Sequence, residues 1–135
     1  LIWCEGEWDR IVAEQAGFPT CTATAGAGNF KAEWFRLLQQ KEAVFICYDN
    51  DDAGKRATEY MIENLRSSPV KLYVMKWPSD FREKGDITDA FIEYHYTPKE
   101  FRSFFEPLDK TEDVPVVQLA QSSGARYSLD MRRLF

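Results

Sequence analysis

Short apolar runs alternate with helical patterns along most of this chain. Residues 43–48 (AVFICY) form an uninterrupted run of aliphatic and aromatic residues, and polar turn residues follow immediately. Such a run is typical of a buried strand. Beyond it, apolar residues recur every four positions from Ala53 to Leu65, which predicts a helix. Residues 49–54 (DNDDAG) therefore form a strand-to-helix turn.

The same alternation predicts further strand and helix units on both sides of this one. Strands are predicted at residues 1–4, beside Cys21 and at residues 70–77, and helices at 8–16, 31–40, 87–94 and 98–105. Strands that alternate with helices in this way favour a parallel sheet. We therefore expect an α/β domain with about four mostly parallel strands and helices on both faces.

Carboxylates cluster where the predicted strands end. Asp49 and Asp51 lie in the strand-to-helix turn, Glu5 ends the first strand, Asp9 lies one turn into the first helix, and Asp86 precedes a later helix. In an open α/β sheet, ligands bind at the carboxyl ends of the strands. Clustered carboxylates repel one another, and hard divalent cations with oxygen ligands relieve that repulsion. The pattern predicts a site of the Mg²⁺ type.

Other sites that contain Asp-x-Asp fit less well. An EF-hand calcium loop needs a ligand at its fifth position and a bidentate Glu at its twelfth, where this chain has Ala53 and Tyr60. A phosphatase-type Asp-x-Asp follows the first strand of its domain, whereas this one follows two earlier strand–helix units. A phosphoacceptor receiver domain needs an acidic pair after its first strand, and residues 5–7 (EGE) match that poorly.

Helix capping is the structural alternative for these acids. An N-cap carboxylate at Asp51 or Asp52 explains one acid of the turn well, but three acids within four residues less well. For Asp86 the N-cap interpretation is favoured over the metal interpretation. His95 is the single histidine, which excludes a histidine-based metal site and a Ser-His-Asp triad.

Together, these motifs resemble the Toprim domain of bacterial-type primases, type IA and type II topoisomerases, OLD-family nucleases and RecR-like recombination proteins. The resemblance covers about residues 1–95. The matching motifs are Glu5-Gly6 with Asp9, the segment 49–54, and the glycine-rich segment 26–28 between them. The Glu5–Asp9 pair and the Asp86 segment look most like the branch of primases and primase–helicases.

The resemblance implies a Toprim (Rossmann-like) fold and metal-dependent nucleotidyl transfer, namely RNA primer synthesis in DNA replication. It implies that Asp49 and Asp51 hold Mg²⁺ or Mn²⁺ with help from Asp86, and that Glu5 and Asp9 are catalytic, with Glu5 as general acid/base or a further ligand. The implied partners are a DNA template and nucleoside triphosphates, bound through the parent protein, together with its other domains or a replicative helicase. A Toprim nuclease of the OLD type and a non-catalytic RecR-like scaffold remain alternatives, because polymerisation and cleavage use the same acidic edge.

The charge of the chain limits how it can hold nucleic acid. A net charge of −5 and a pI of about 4.9 argue against binding through the overall field of this domain. Lys55 and Arg56 follow the acidic turn, and Lys84 precedes Asp86, so these three are candidate contacts to nucleic acid or nucleotide. A solvated surface charge is the alternative for each.

Composition agrees with one globular domain. Of the 135 residues, 44% are hydrophobic and 15% aromatic, which suits a chain with a sizeable core. We expect a Toprim domain over residues 1–107 and a linker or tail over 108–135 that leads to a domain not present. The apolar runs are too short to span a bilayer, there is no signal-peptide pattern, and the three cysteines lack zinc or disulfide spacing. The expectation is a cytoplasmic protein with no membrane partner.

Overall fold

The computed structural model of the protein describes residues 1–23 and 30–111. The elements along these residues, in chain order, are β1 (Ile2–Cys4), α1 (Glu7–Gln15), β2 (Thr20–Thr22), α2 (Ala32–Gln39), β3 (Ala43–Cys47), α3 (Asp52–Leu65), β4 (Lys71–Met75), α4 (Ile87–Ile92), α5 (Pro98–Ser103) and β5 (Phe105–Pro107). The predicted glycine-rich segment 26–28 lies outside the described residues.

The strands form one sheet in the order β2-β1-β3-β4-β5. The first four are parallel, and β5 is antiparallel to β4. Cys4 of β1 lies beside Cys47 of β3, so these two strands end at the same level. The segments that follow β1 and β3 therefore leave the sheet side by side. A site shared by residues of both segments is possible only with this arrangement.

The predicted α/β class with a mostly parallel sheet is confirmed, and a fifth strand adds to the four that the sequence predicts. The last predicted helix was expected to reach residue 105, but α5 ends at Ser103 and the chain then pairs with β4. The three residues of β5 are too few to show the alternating pattern of a strand. They form a strand because they pair with the edge of β4. Proline is tolerated there because β5 lies at the edge of the sheet.

Two hydrophobic clusters cover the two faces of the sheet. On one face, Val44 and Ile46 of β3 lie in a cluster with residues of α2 and α3. On the other face, Phe45 and Cys47 of the same strand lie in a cluster with residues of α1, α4 and α5. Successive side chains of a strand point to opposite faces, which explains why the whole run is apolar. Each large aliphatic side chain buried in this way contributes about 1.5–3 kcal/mol.

Beyond β5, the chain stays in contact with the domain for a few residues. Leu108 packs against the cluster on the α2–α3 face, and Lys110 Nζ donates to the carbonyl oxygens of Leu65 (3.3 Å) and Ser68 (2.6 Å). Residues 112–135, most of the predicted linker, lie outside the described residues, and the boundary at residue 107 remains a prediction. In the described part of the chain, every helix is too short or too polar to cross a bilayer.

Candidate functional site: an acidic edge of the sheet

The structure brings the five predicted acidic residues to one edge of the sheet. Glu5 directly follows β1, Asp49 follows β3 by two residues, Asp51 is the N-cap of α3, and Asp86 is the N-cap of α4. Asp9, on the first turns of α1, is close enough to this group to raise the pKa of Asp49. Carboxylates from two strand ends and three helix starts thus share one electrostatic environment.

Asp49 lies at the centre of this environment. Burial is the largest cause that raises its pKa to about 7, and the charges of Glu5, Asp9, Asp86 and Asp51 raise it further. A carboxyl group with this pKa is partly protonated at neutral pH, which is unusual for aspartate. The four neighbouring acids therefore disfavour a fifth negative charge unless a cation offsets it.

Glu5 carries the clearest sign of an unmet interaction. Its Oε2 atom is buried and has no hydrogen-bond partner among the described residues. Burial raises the pKa of Glu5 most, the charge of Asp51 raises it further, and a hydrogen bond from the backbone N–H of Asp49 opposes them. A buried carboxylate oxygen without a donor costs free energy, so a ligand that approaches this oxygen would recover some of it.

The turn at residues 49–54 is held by its cap and its glycine. Asp51 Oδ1 accepts a hydrogen bond from the backbone N–H of Gly54 at 2.7 Å, which caps α3. Gly54 packs against the backbone of Asp49, and a Cβ atom at Gly54 would clash with the Asp49 carbonyl group. Because glycine lacks that atom, the first turn of α3 can lie directly against the backbone of Asp49.

Asp86 has the predicted N-cap role. Its Oδ1 accepts from the backbone N–H of Asp89 at 2.8 Å, and Asp89 Oδ2 accepts from the backbone N–H of Asp86 at 3.2 Å, which completes a capping box. The cap accounts for one carboxylate oxygen and fixes the side chain at the site. Its role as a metal ligand remains a prediction.

Asp9 has a structural partner that the sequence did not reveal. It is buried, and its Oδ1 accepts from the backbone N–H of Thr88 at 3.1 Å and from the Thr88 hydroxyl at 3.0 Å. Burial raises the pKa of Asp9 most and the charge of Asp86 adds to this, whereas the bonds from Thr88 lower it. Asp9 thus ties α1 to the start of α4. Its predicted catalytic role remains a prediction.

Sequence reasoning also missed Asn50, which lies between two of the acids. Its backbone pairs with the loop before Asp86, since Asn50 N–H donates to the Gly85 carbonyl at 2.8 Å and Lys84 N–H donates to the Asn50 carbonyl at 2.9 Å. Its side-chain Nδ2 donates to the carbonyls of Arg82 (3.0 Å) and Phe81 (3.3 Å). The sequence contains no local signal for these contacts, because more than thirty residues separate the partners.

The three predicted basic contacts lie at the surface. Lys55 pairs with Asp52 at 3.3 Å in an exposed ion pair, and Arg56 is exposed on the same helix. Lys84 is exposed and has a positive φ of 60°, a conformation that favours glycine. Exposed pairs contribute little to stability, so Lys55 can exchange this partner for a ligand at small cost. Contact with nucleic acid or nucleotide remains a prediction for all three.

A cavity of about 830 Å³ opens beside the acidic turn. Asp49 and Asn50 line it at the turn. Trp77, two residues beyond the end of β4, also lines it, and its Nε1 donates to the carbonyl of Tyr48 at 3.0 Å. Its size is that of a typical small-molecule site. Basic and acidic side chains both line it, namely Lys55, Arg66, Lys76, Glu59, Glu106 and Asp109. This mixed lining does not select for an anion by charge alone.

The donor set of the acidic edge fits a hard cation that keeps much of its water. Among the described residues, no three acidic, histidine or cysteine side chains lie together as a cage that could hold a metal ion. Mg²⁺ rarely needs such a cage, because it is usually held by one or two carboxylates, substrate phosphates and several waters. The Glu5 Oε2 atom, which lacks a donor within residues 1–23 and 30–111, and the raised pKa of Asp49 are both consistent with an edge that gains from a cation.

Comparison with known proteins assigns the family. A family model described as Toprim-like matches residues 2–91, which is more than half of the chain. The chain therefore belongs to the Toprim-like family, and the resemblance seen in the sequence is confirmed.

Its similar proteins include primases. Over 87 residues, 64% of this chain, it is 30% identical to a DNA primase of Thermotoga maritima. The zinc-binding and RNA polymerase domains of the Aquifex aeolicus primase match 79% of this chain with a TM-score of 0.61 and 26% identity. The primase fragment of the bacteriophage T7 primase–helicase matches 77% with a TM-score of 0.62; at 22% identity this likeness shows the fold alone.

The chain spans only part of these proteins. It covers 15% of the Thermotoga primase, 26% of the Aquifex chain and 42% of the T7 fragment. The activity, substrates and partners of these longer proteins are therefore not assigned to this chain by similarity alone.

Proposed function

We propose that this chain is the nucleotidyl-transfer part of a DNA primase or primase–helicase and that it acts in RNA primer synthesis. The observation that carries the proposal is the convergence of Glu5, Asp49, Asp51 and Asp86 at one sheet edge of a Toprim-like domain. The similarity to named primases favours primer synthesis over phosphodiester cleavage, which could use the same acids.

The acids would bind Mg²⁺ or Mn²⁺. Asp49 and Asp51, one residue apart, would be the principal ligands, and Asp86 would approach from the start of α4. When bound, such a cation neutralises charge on phosphate oxygens and lowers the pKa of an attacking hydroxyl. Carboxylate oxygens suit it because they are hard, anionic ligands.

Glu5 is the candidate for proton transfer. Its raised pKa brings the carboxylate closer to working pH, which is the direction in which a general base becomes effective. Its Oε2, which has no hydrogen-bond partner in the described part of the chain, is available to accept a proton or to approach a cation. Asp9 would support this acid indirectly, since it positions α1 and α4 around the edge.

The nucleotide and the template would be bound by different parts of the parent protein. The cavity beside Asp49 is large enough for the base and sugar of a nucleoside triphosphate, and Lys55 is one of its lining residues. The acidic chain as a whole would repel a template strand, so template binding belongs to basic surfaces of other domains of the parent protein or to a helicase partner. A cytoplasmic location agrees with this role.

The test is a comparison of activity with binding in one variant of the protein that carries this chain. Glu5→Gln is nearly isosteric, so the fold and DNA binding should persist. The amide cannot accept a proton or ligate a cation with full charge, so primer synthesis should fall by about two to four orders of magnitude. Glu7→Gln, an exposed neighbour at the start of α1, is the matched control and should keep full activity. Unchanged primer synthesis in Glu5→Gln would overturn the proposal.

A further inference from the structure

Every hydrogen bond described for Asn50 joins it to one loop, residues 81–85, although Asn50 lies between Asp49 and Asp51. Four hydrogen bonds join them, two from the backbone pairing with Lys84 and Gly85 and two from the side-chain amide to the carbonyls of Phe81 and Arg82. The loop leads directly into Asp86. Asn50 is therefore the described link between the Asp-x-Asp turn and the segment that carries the third acid.

The loop has a backbone conformation that few residues adopt. Lys84 has a positive φ, which is unfavourable for a residue with a side chain. At Gly85, a Cβ atom would lie 2.5 Å from Phe81 Cε1 and 2.7 Å from Arg82 Cγ. A conformation of this kind persists when surrounding contacts determine it. Among these contacts are four hydrogen bonds with Asn50, which donates three of them and accepts the fourth from the backbone N–H of Lys84.

The chemistry of the side chain explains why an amide stands here. Both Nδ2 contacts go to carbonyl oxygens, which accept but cannot donate. A carboxylate in the same place would face two acceptors and add a further charge to a group of acids that already repel one another. Asn is the isostere that donates both bonds and adds no charge.

We propose that Asn50 is a positioning residue that sets the place of Asp86 relative to Asp49 and Asp51, at the edge where a cation would bind. This inference rests on the proposed function of that site. Asn50 does not touch the cation; it acts through the loop and the Gly85–Asp86 peptide.

A second tether should keep the domain folded when this one is removed. The start of α4 is also held by Asp9, through two hydrogen bonds from Thr88 on the far side of Asp86. Asn50→Ala removes the two side-chain bonds and leaves the backbone pairing possible. We therefore expect a folded protein in which Asp86 is less well fixed.

The experiment is a double-mutant cycle read out by Mn²⁺ affinity. Mn²⁺ binding is measured in the wild type, Asn50→Ala, Asp86→Asn and the double variant, by calorimetry and by broadening of amide NMR signals. Asn is as good an N-cap as Asp, so Asp86→Asn preserves the start of α4. Asn64→Ala is the matched control. Asn64 Nδ2 also donates to a backbone carbonyl, that of Tyr60, but both residues lie toward the C-terminal end of α3, away from the acidic edge.

If Asn50 acts through Asp86, Asn50→Ala should weaken Mn²⁺ binding by about 10- to 100-fold, the usual effect of losing a residue that orients a ligand. It should cause no further loss when Asp86 is already Asn. Equal losses in both backgrounds, or no loss in either, would overturn the role of Asn50 alone. A wild type that shows no Mn²⁺ response would overturn the cation site itself, and with it the proposed function.

Discussion

Gly54 lies so close to Asp49 that no side chain fits between them. A Cβ atom at Gly54 would clash with the Asp49 carbonyl oxygen and would lie 3.0 Å from its carbonyl carbon. The close approach sets the direction in which Asp49 leaves β3, because the first turn of α3 rests on its backbone. The glycine of the motif thus shapes the acid site without taking part in its chemistry.

Gly54→Ala should therefore destabilise the protein and displace Asp49. Since the clash involves backbone atoms that cannot rotate away, we expect a loss of about 1–3 kcal/mol in the free energy of unfolding, as for an overpacked core. Denaturant titration measures this loss. Ala53→Ser, at the exposed neighbouring position, should change stability by no more than about 0.5 kcal/mol. A Gly54→Ala variant as stable as the wild type would show that the turn can relax.

Asp49 should make the protein less stable as pH rises when no divalent cation is present. Its pKa is raised from 3.8 to about 7 in the folded state, so the folded state binds more protons than the unfolded state between these values. The contribution of the Asp49 carboxyl group to the free energy of unfolding is therefore fully present below about pH 4, and it is lost as the pH rises through about 7. Asp49→Asn removes this dependence.

The variant should thus be more stable than the wild type at about pH 8 in a chelating buffer, by about 1–2 kcal/mol once solvent screening of this half-buried group is allowed for. At about pH 4 the difference should nearly vanish, because the wild-type carboxyl is then protonated. Thermal unfolding at both pH values measures it. Asp52→Asn, an exposed acid of the same turn, is the control and should show little gain. A gain of equal size in both variants would mean that general charge reduction, and not the site, is responsible.

Much of this edge could be predicted because its signals are local. The apolar run of β3 and the acids that follow it occupy adjacent positions, and the repeat in α3 fixes the other end of the turn. Parallel strands then bring Glu5 and Asp49 to the same edge without any further information. The N-cap role of Asp86 could be predicted for the same reason, since capping depends on the next three residues.

What the sequence did not reveal depends on contacts between distant segments. Asp9 meets Thr88 across 79 positions, and Asn50 meets Arg82 across 32, so no periodicity or local motif contains these pairs. The strand β5 is a similar case, because its three residues form a strand only where β4 offers an open edge. Positions that orient the acids are therefore harder to predict than the acids themselves.

Thr88→Val tests the structural role of Asp9, which is to connect α1 to the start of α4. The exchange keeps the shape of the side chain but removes the hydroxyl that donates to Asp9 Oδ1 at 3.0 Å. Loss of one bond to a buried carboxylate should cost about 1–3 kcal/mol. Thr58→Val is the matched control, since that hydroxyl donates to a carbonyl within α3 and should matter less. Equal costs for both, measured by chemical denaturation, would remove the argument that Asp9 ties α1 to α4.

Mg²⁺ should stabilise the protein through Asp49. A ligand that binds only the folded state at about ten times its dissociation constant adds about 1.4 kcal/mol, and the effect grows with the logarithm of concentration. Salt also relieves repulsion among carboxylates by screening, so the effect of NaCl at equal ionic strength must be measured beside that of Mg²⁺.

At about pH 8, where the Asp49 carboxyl is mostly ionised, Mg²⁺ should raise the melting temperature of the wild type well beyond the NaCl effect. Asp49→Asn should respond to both salts alike, whereas Asp52→Asn should behave as the wild type does. If Mg²⁺ and NaCl act equally on the wild type, the acidic edge is merely screened, and the repulsion at Asp49 does not reflect a cation site.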